Sequence, residues 1–356
     1  MNLKCKIIME EYEEQCRRYK ELEVYISSLL KKAVHDADIE VMAIESRVKK
    51  AQSLQRKIEL KGDKYNSLSD ITDILGTRII CFFSDDVDRT AALIQSIFDV
   101  DTENSVDKRA VLNPDSFGYL SLHYIVSLPE NKNHPKELIG LKFEIQVRTI
   151  LQHTWAVINH DLGYKTELGV PKSITRDFSR VAGLLEIADD QFVAIKKNIN
   201  NYSREIKEKI ADNKADDVLI DIVSLREYVR LNANMISLNN EIAEKQGSRI
   251  SWIDPQSYVE QLNFLGKTTI GDLQEMISEN KLLAVLLAQQ ELNGLQPDMI
   301  PSTAGLRFVC RAELLNKNYP LEKIVEFINL SVLNDSRAGQ QAMSLMKMYN
   351  KICEEN

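Results

Sequence analysis

Two carboxylates and a run of cations are the residues here whose types and spacing could do chemistry. Asp73 stands at the entrance to a continuous apolar run, and Glu144 lies in the middle of "LKFEIQVRT", residues 141–149. In that stretch Leu141, Phe143, Ile145 and Val147 alternate with Lys142, Glu144, Gln146 and Arg148. A period of two marks a strand with one buried face, so the polar residues form a row on the other. The plainer account of such a row is the solvated outer face of an antiparallel sheet. The alternative is the floor of a cleft, with a carboxylate held rigidly. Upstream, the basic stretch Arg47, Lys49, Lys50, Ser53 and Lys57 sets cationic and hydroxyl groups three to four residues apart. Read as a helix, Lys49, Ser53 and Lys57 share a face, which is either solvated or a phosphate site. Tyr119, after Gly118, is either core or a ring on which a base stacks. The chemistry open to this set is proton removal by a carboxylate and phosphate binding by the cations.

The elements that must position these residues follow from the hydrophobic pattern. Ile8, Tyr12, Tyr19, Leu22, Ile26, Leu29 and Ala33 predict a helix over 7–34. A short strand is expected near Val41 to Ile44, then a basic helical stretch ending at Gly62. Ile79 to Phe83 reads as a strand buried on both faces. "DDVDRTAALIQSIFDV" follows as an amphipathic helix with Asp at its start. Strand, helix, strand suggests a crossover unit. After a polar loop, "GYLSLHYIVSL" alternates again, with Leu122, Tyr124 and Val126 on one face and Ser121, His123 and Ile125 on the other. Beyond the strand of Glu144, Leu151, Trp155, Ile158 and Leu162 form one stripe of a helix. From about residue 174 the signal is helical, first over 176 to about 200. The charged stretch 202–217 reads as a linker or an exposed helix. Residues 218–356 form a separate helical region, with turns at 254–255, 293–297 and 319–320.

Composition excludes several classes. With 356 residues, two domains are expected, and 44% hydrophobic with 28% charged residues is ordinary for a globular chain. A net charge of −8 argues against binding nucleic acid over the whole surface, while leaving room for a local basic patch. The longest apolar run, "LLAVLLA" at 282–288, is too short to span a bilayer, and the N-terminus has no signal-like apolar stretch. The five cysteines form no C-x-x-C pair, so neither a disulfide framework nor a zinc cluster is expected, and Cys81 reads as a small buried hydrophobe. A reducing cytoplasm is the expected location.

Two superficial matches fall away. "GKTT" at 266–269 lacks the glycine a phosphate loop needs, since position 261 is Gln, and it sits in helical surroundings. His153 and His160 are seven apart on a helix, unlike a zinc-binding i, i+4 pair, and "HD" at 160–161 lacks supporting ligands.

Taken together, "SRVKKAQSLQRK", "DILGTR", "GYLSLH" and "FEIQVRT", followed by Trp155, His160 and the Tyr164–Lys165 pair, resemble the RelA/SpoT synthetase family. The resemblance covers roughly residues 40–170 and rests on four motifs in the family's order. It implies an α+β fold: a mixed sheet of about five strands flanked by helices, nucleotidyltransferase-like, with a helical C-terminal region. The implied domains are an N-terminal helix over 1–40, a synthetase domain over 41–200, and a helical region of unknown role over 218–356. The hydrolase domain of long family members has no expected counterpart. The implied activity is transfer of the β,γ-pyrophosphate of ATP to the 3′-hydroxyl of GDP or GTP, the alarmone synthesis of the stringent response. Arg47, Lys49, Ser53, Lys57 and Arg78 are the implied ATP contacts. Asp73 and Glu144 are the implied catalytic residues and magnesium ligands, with Glu144 also the base. Tyr119, His123, Gln146 and Arg148 are the implied acceptor contacts, Tyr119 by stacking on guanine. ATP and GDP or GTP are the implied partners, with no membrane and a homo-oligomeric state expected.

One position departs from the pattern. Synthetases of the family usually have Arg after the stacking tyrosine, and here Leu120 stands there. That leaves open a toxin-type synthetase acting on tRNA 3′ ends or adenosine nucleotides. A nucleotide-binding sensor without turnover is the reading from another class. Retention of both Asp73 and Glu144 argues against it, since a pure binder needs neither a base nor a complete metal site.

Overall fold

The computed structural model describes residues 3–61, 64–107, 121–130, 132–163, 172–212, 214–295, 297–331 and 337–355. They divide into two compact units, Met1–Lys196 and Lys197–Asn356.

The first unit opens with a long helix, α1 (Leu3–Asp36), which buries Cys5, Ile8, Tyr12, Tyr19, Leu22, Ile26, Leu30 and Val34. Three- and four-residue steps keep those side chains on one stripe. The chain turns at Asp38, with φ 50°, and Ile39 N–H donates back to the Val34 carbonyl. Then come β1 (Val41–Val48), α2 (Ala51–Lys61), β2 (Leu75–Cys81), α3 (Ser84–Ile97), β3 (Asp99–Asp107), β4 (Leu122–Ser127), β5 (Phe143–Thr149), α4 (Ile150–Gly163) and α5 (Lys172–Ala211). The strands form one sheet in the order β1-β2-β5-β4-β3. β2 and β5 are parallel, and the other neighbours are antiparallel. The expected mixed five-stranded sheet is therefore present. The crossover is β2–α3–β3, with β5 and β4 lying between its two strands.

The alternation of residues 141–149 is realised in β5, where Phe143, Ile145 and Val147 are fully buried. They join Ile79, Cys81, Val126, Ile94, Leu22 and Ile26 in one core beneath α1 and α3. Burial also pushes the Cys81 thiol up to about 11, as befits a small hydrophobe.

One boundary differs from the sequence reading. β1 continues to Val48, and helix α2 begins only at Ala51. Glu45, Ser46, Arg47 and Val48 pair with Arg78, Thr77, Gly76 and Leu75, and this ladder overrides the polar local composition. Arg47 is thus a strand residue, and Lys49 precedes the helix rather than sharing a helical face with Ser53 and Lys57.

The strand of Glu144 passes into α4 without a loop. Thr149 N–H donates to Gln152 Oε1 at 3.0 Å, and Gln152 N–H donates to Thr149 Oγ1 at 3.1 Å, a reciprocal cap of the helix start. The Thr149 hydroxyl donates in turn to Asp189 Oδ2 on α5 at 2.7 Å.

The second unit takes over the last part of α5 and adds α6 (Ile222–Leu231), α7 (Ala233–Gln246), β6 (Arg249–Ser251), α8 (Tyr258–Phe264), α9 (Ile270–Leu292), β7 (Met299–Pro301), α10 (Ala304–Asn316), α11 (Leu321–Ser331) and α12 (Ala338–Glu355). β6 and β7 form a two-stranded parallel sheet that the helical pattern did not show. The residues of "GKTT" are absorbed structurally. Thr269 Oγ1 accepts from Asp272 N–H to cap α9, and the Lys267 ammonium pairs with buried Glu313 at 3.2 Å. No helix among the described residues is long and apolar enough to cross a membrane.

Asp189 yields a stability prediction. Burial, opposed by the Thr149 hydrogen bond and reinforced by the neighbouring charge of Asp190, raises its pKa from 3.8 to about 6. A carboxyl with a raised folded pKa favours folding most below its unfolded pKa, and that contribution is lost as pH rises through about 6. Asp189→Asn keeps an acceptor for Thr149 and carries no charge. Its thermal midpoint should exceed that of the parent at pH 8, with the gap closing towards pH 4. A gap that is constant across this range, or reversed, would show that Asp189 charges without penalty.

Candidate active site

The site is built on two rungs of the sheet. Across the first, Arg47 on β1 lies opposite Gly76 on β2, and Gly76 opposite Glu144 on β5. Across the second, Glu45 lies opposite Arg78, Arg78 opposite Gln146, and Gln146 opposite His123 on β4. Because side chains two apart share a face, both rungs point the same way. A cavity of about 440 Å³ opens above them, lined by Glu45, Ser46, Arg47, Lys49, Asp73, Gly76, Thr77, Arg78, Glu144 and Gln146. A second cavity of about 500 Å³ shares Arg47, Arg78 and Gln146, and adds Arg148, Ala156, Val157, His160 and Asp161.

At the mouth of β2, Asp73 lies between two ammonium groups. Lys49 Nζ donates to Oδ2 and Lys57 Nζ to Oδ1, each at 2.6 Å. Lys49 is anchored at its backbone, where its N–H donates to the Ile74 carbonyl and its own carbonyl accepts from the Tyr12 hydroxyl. Lys57 reaches in from α2. Burial works against the Asp73 anion, but the hydrogen bonds and charges of the two lysines outweigh it and hold its pKa below the ordinary range. The lysines divide unequally. Burial prevails at Lys49 and lowers its pKa despite Asp73, whereas at Lys57 the hydrogen bond and charge of Asp73 overcome burial and raise it.

Glu144 is held differently. Its Oε1 lies 2.8 Å from His123 Nδ1, and its Oε2 accepts from Gln146 Nε2 at 2.7 Å. Burial again opposes the charge. The His123 and Gln146 contacts override burial and the nearby charge of Asp73, so the carboxyl sits below its usual range. Both carboxylates are therefore ionised at neutral pH, on one wall of one cavity. Such an arrangement can bind polyphosphate through its cations and accept a proton on oxygen.

Of the residues singled out in the sequence, Arg47, Lys49, Asp73, Arg78, Glu144 and Gln146 line the first cavity, and Lys57 and His123 touch its carboxylates. Arg148 lines the second cavity instead. Ser53 is exposed on α2, one turn before Lys57. Tyr119 lies outside the described residues. Glu45 and Gly76 were missed as lining residues. The signal for Glu45 was the alternation of residues 43, 45 and 47, hidden once the strand was ended at Ile44. Among the described residues, no three or more His, Cys, Asp or Glu side chains are grouped to hold a metal. Asp73 and Glu144 offer a set of two carboxylates.

Residues 46–168 match the region found in RelA/SpoT proteins, a span that contains these side chains except Glu45, which stands one residue before it. The chain is similar to GTP pyrophosphokinase YwaC of Bacillus subtilis (strain 168), with 32% identity over 159 residues, 44% of this chain and 74% of the relative. It is also similar to GTP pyrophosphokinase YjbM of the same organism, with 26% identity over 168 residues, 47% of this chain and 77% of the relative. Among solved structures, small alarmone synthetase 2 from Bacillus subtilis aligns with a TM-score of 0.46 and 27% identity, over 53% of this chain and 99% of that one.

The Asp73–lysine contacts predict a competition. A polyphosphate anion entering without metal must draw Lys49 and Lys57 away from Asp73. Asp73→Asn removes the competing charge and should tighten metal-free binding of inorganic pyrophosphate about three- to tenfold, or about 0.6–1.4 kcal/mol. Titration calorimetry in the presence of a chelator measures it. Unchanged or weaker binding by a folded variant would show that the carboxylate does not compete for the lysines.

Proposed function

Because this chain belongs to the RelA/SpoT-type synthetase family, we propose that it is an ATP-dependent pyrophosphokinase acting on GDP or GTP. The observation that carries the reading is the pairing of two ionised carboxylates with lysines and arginines around one cavity. In the reaction, the acceptor's 3′-oxygen attacks the β-phosphorus of ATP, and the bond from that phosphorus to the oxygen it shares with the α-phosphorus breaks. AMP leaves, and Glu144 takes the hydroxyl proton. A 3′-hydroxyl is a poor nucleophile at neutral pH, so a positioned base contributes about 10²–10⁴-fold.

Lys49, Lys57, Arg47 and Arg78 would hold the phosphates of ATP and offset their charge. Positioning against these groups supplies much of the remaining acceleration. The donor set also fits magnesium, which takes hard oxygen ligands and needs only one or two carboxylates when phosphates complete its shell. Asp73 and Glu144 would hold it, and bound there it would neutralise the charge of the phosphate oxygens. Tyr119 would stack on the acceptor base.

The decisive experiment supplies ATP labelled at the γ-phosphate, magnesium and separate acceptors: GDP, GTP, adenosine nucleotides and deacylated tRNA. Label should pass to GDP or GTP. Transfer confined to tRNA or adenosine nucleotides would replace the reading with a toxin-type synthetase. ATP binding without transfer would leave a sensor. Glu144→Gln should bind nucleotide and keep its fold, yet lose at least about 10²-fold in turnover. Near-parental synthesis by that variant would remove Glu144 as the base.

Tyr119→Ala tests the acceptor side. Stacking of a base on an aromatic ring is worth about 1–3 kcal/mol, so the acceptor KM should rise about five- to 150-fold with the ATP KM little changed. If both KM values rise alike and the thermal midpoint falls, Tyr119 is a packing residue. Tyr119→Phe, which keeps the ring face, should stay nearly active.

A further inference from the structure

A side chain that must remove a proton needs its oxygen held in place, and a glutamate has rotatable bonds to lose. At Glu144 both oxygens are engaged by neighbours on two strands. His123 Nδ1 stands 2.8 Å from Oε1 across the β4–β5 pair. Gln146 Nε2 stands 2.7 Å from Oε2 along β5 itself. The other end of Gln146 is fixed as well, since its Oε1 accepts from Arg78 Nε on β2 at 3.3 Å. With its carbonyl committed to a guanidinium, the Gln146 amide can present only its NH₂ to the carboxylate. The Nδ1–H tautomer of His123 is the one that donates to an anion. A hydrogen-bonded run, Arg78 to Gln146 to Glu144, with His123 closing the far side, thus crosses three strands whose ladders fix its spacing.

We propose that His123 and Gln146 are positioning residues that clamp the two oxygens of Glu144, rather than groups whose first task is to read the acceptor. This rests on the pyrophosphokinase reading above. A carboxylate has about four lone-pair sites, so the clamp leaves acceptor capacity for a hydroxyl proton. The side chains of His123 and Glu144 are both largely buried, at 16% and 18% exposed. That shields their contact from competing water and strengthens it. The clamp also ties the base to Arg78, so one connected set of side chains reaches both the ATP side of the cavity and the reacting hydroxyl.

The two roles for His123 use different ring atoms, and substitution can tell them apart. An asparagine amide nitrogen can stand where Nδ1 was, and a glutamine amide nitrogen where Nε2 was. His123→Ala should lower kcat about 10- to 100-fold, the usual loss when an outer partner of a site carboxylate is removed. Its KM values for acceptor and ATP should move by less than about threefold. His123→Asn should return kcat to within about fivefold of the parent, and His123→Gln should not. Gln146→Leu, which keeps bulk without a donor, should repeat the kcat loss. The reverse pattern overturns the clamp: rescue by Gln and not Asn, or a raised acceptor KM with kcat kept. Thermal midpoints and ATP titration on each variant exclude misfolding as the cause. A parent chain without transfer activity would instead remove the pyrophosphokinase reading, and the clamp's catalytic meaning with it.

Discussion

In the parallel ladder between β2 and β5, Gly76 lies opposite Glu144 and Arg78 opposite Gln146, and the site takes its shape from that register. Side chains alternate along a strand, so a slip of one residue would turn Glu144 into the core and Ile145 towards solvent. Ile79, Ile145 and Val147, buried against α1 and α3, make such a slip costly. The apolar face therefore specifies where the polar face points. Because β2 and β5 run the same way, the turn that precedes β2 lies near the start of β5. Asp73 in that turn and Glu144 near the start of β5 are thereby brought to one wall of the cavity.

The charges in that wall depend on one another. Burial disfavours the charged form of Asp73, Glu144, Lys49 and Lys57 alike. The two carboxylates stay ionised because each has donors on both oxygens, cations at Asp73 and an imidazole and an amide at Glu144. The distinction has chemical content. Asp73 is flanked by two lysine ammonium groups that an incoming phosphate can attract. Glu144 is held by side chains fixed within the sheet. One carboxylate is arranged to exchange partners and the other to keep them.

Much of this was legible in the chain before any fold was drawn. The alternation over 141–149 placed Glu144 and Gln146 on one face of a strand and Phe143, Ile145 and Val147 in the core. What escaped did so for physical reasons. Residues 45–47 are Glu, Ser and Arg, polar or charged at every position, and it is pairing with β2 that makes them a strand. The local pattern therefore suggested a helix, which hid the shared face of Glu45 and Arg47. β6 and β7 span three residues each, too few for a period of two to register. The bond from Thr149 to Asp189 joins residues 40 apart, and nothing in either neighbourhood announces it. The Thr149–Gln152 cap was readable, since T-x-x-Q before an apolar helix is a start signal.

Gly76 shows how the cavity is made. Glycine within a strand is unfavourable, because it gives up chain entropy and offers nothing to pack. Backbone geometry does not demand it, since Gly76 is absent from the positive-φ glycines. Packing does not demand it either, because a Cβ added there would meet no atom within 4 Å. The open space beside it is the cavity, bounded on one side by Arg47 and on the other by Glu144. A side chain at this point would project between the cation and the carboxylate, into the space that would receive a phosphate of the proposed substrate. The glycine thus keeps clear the rung on which, in the proposed function, phosphate contact and proton removal would meet.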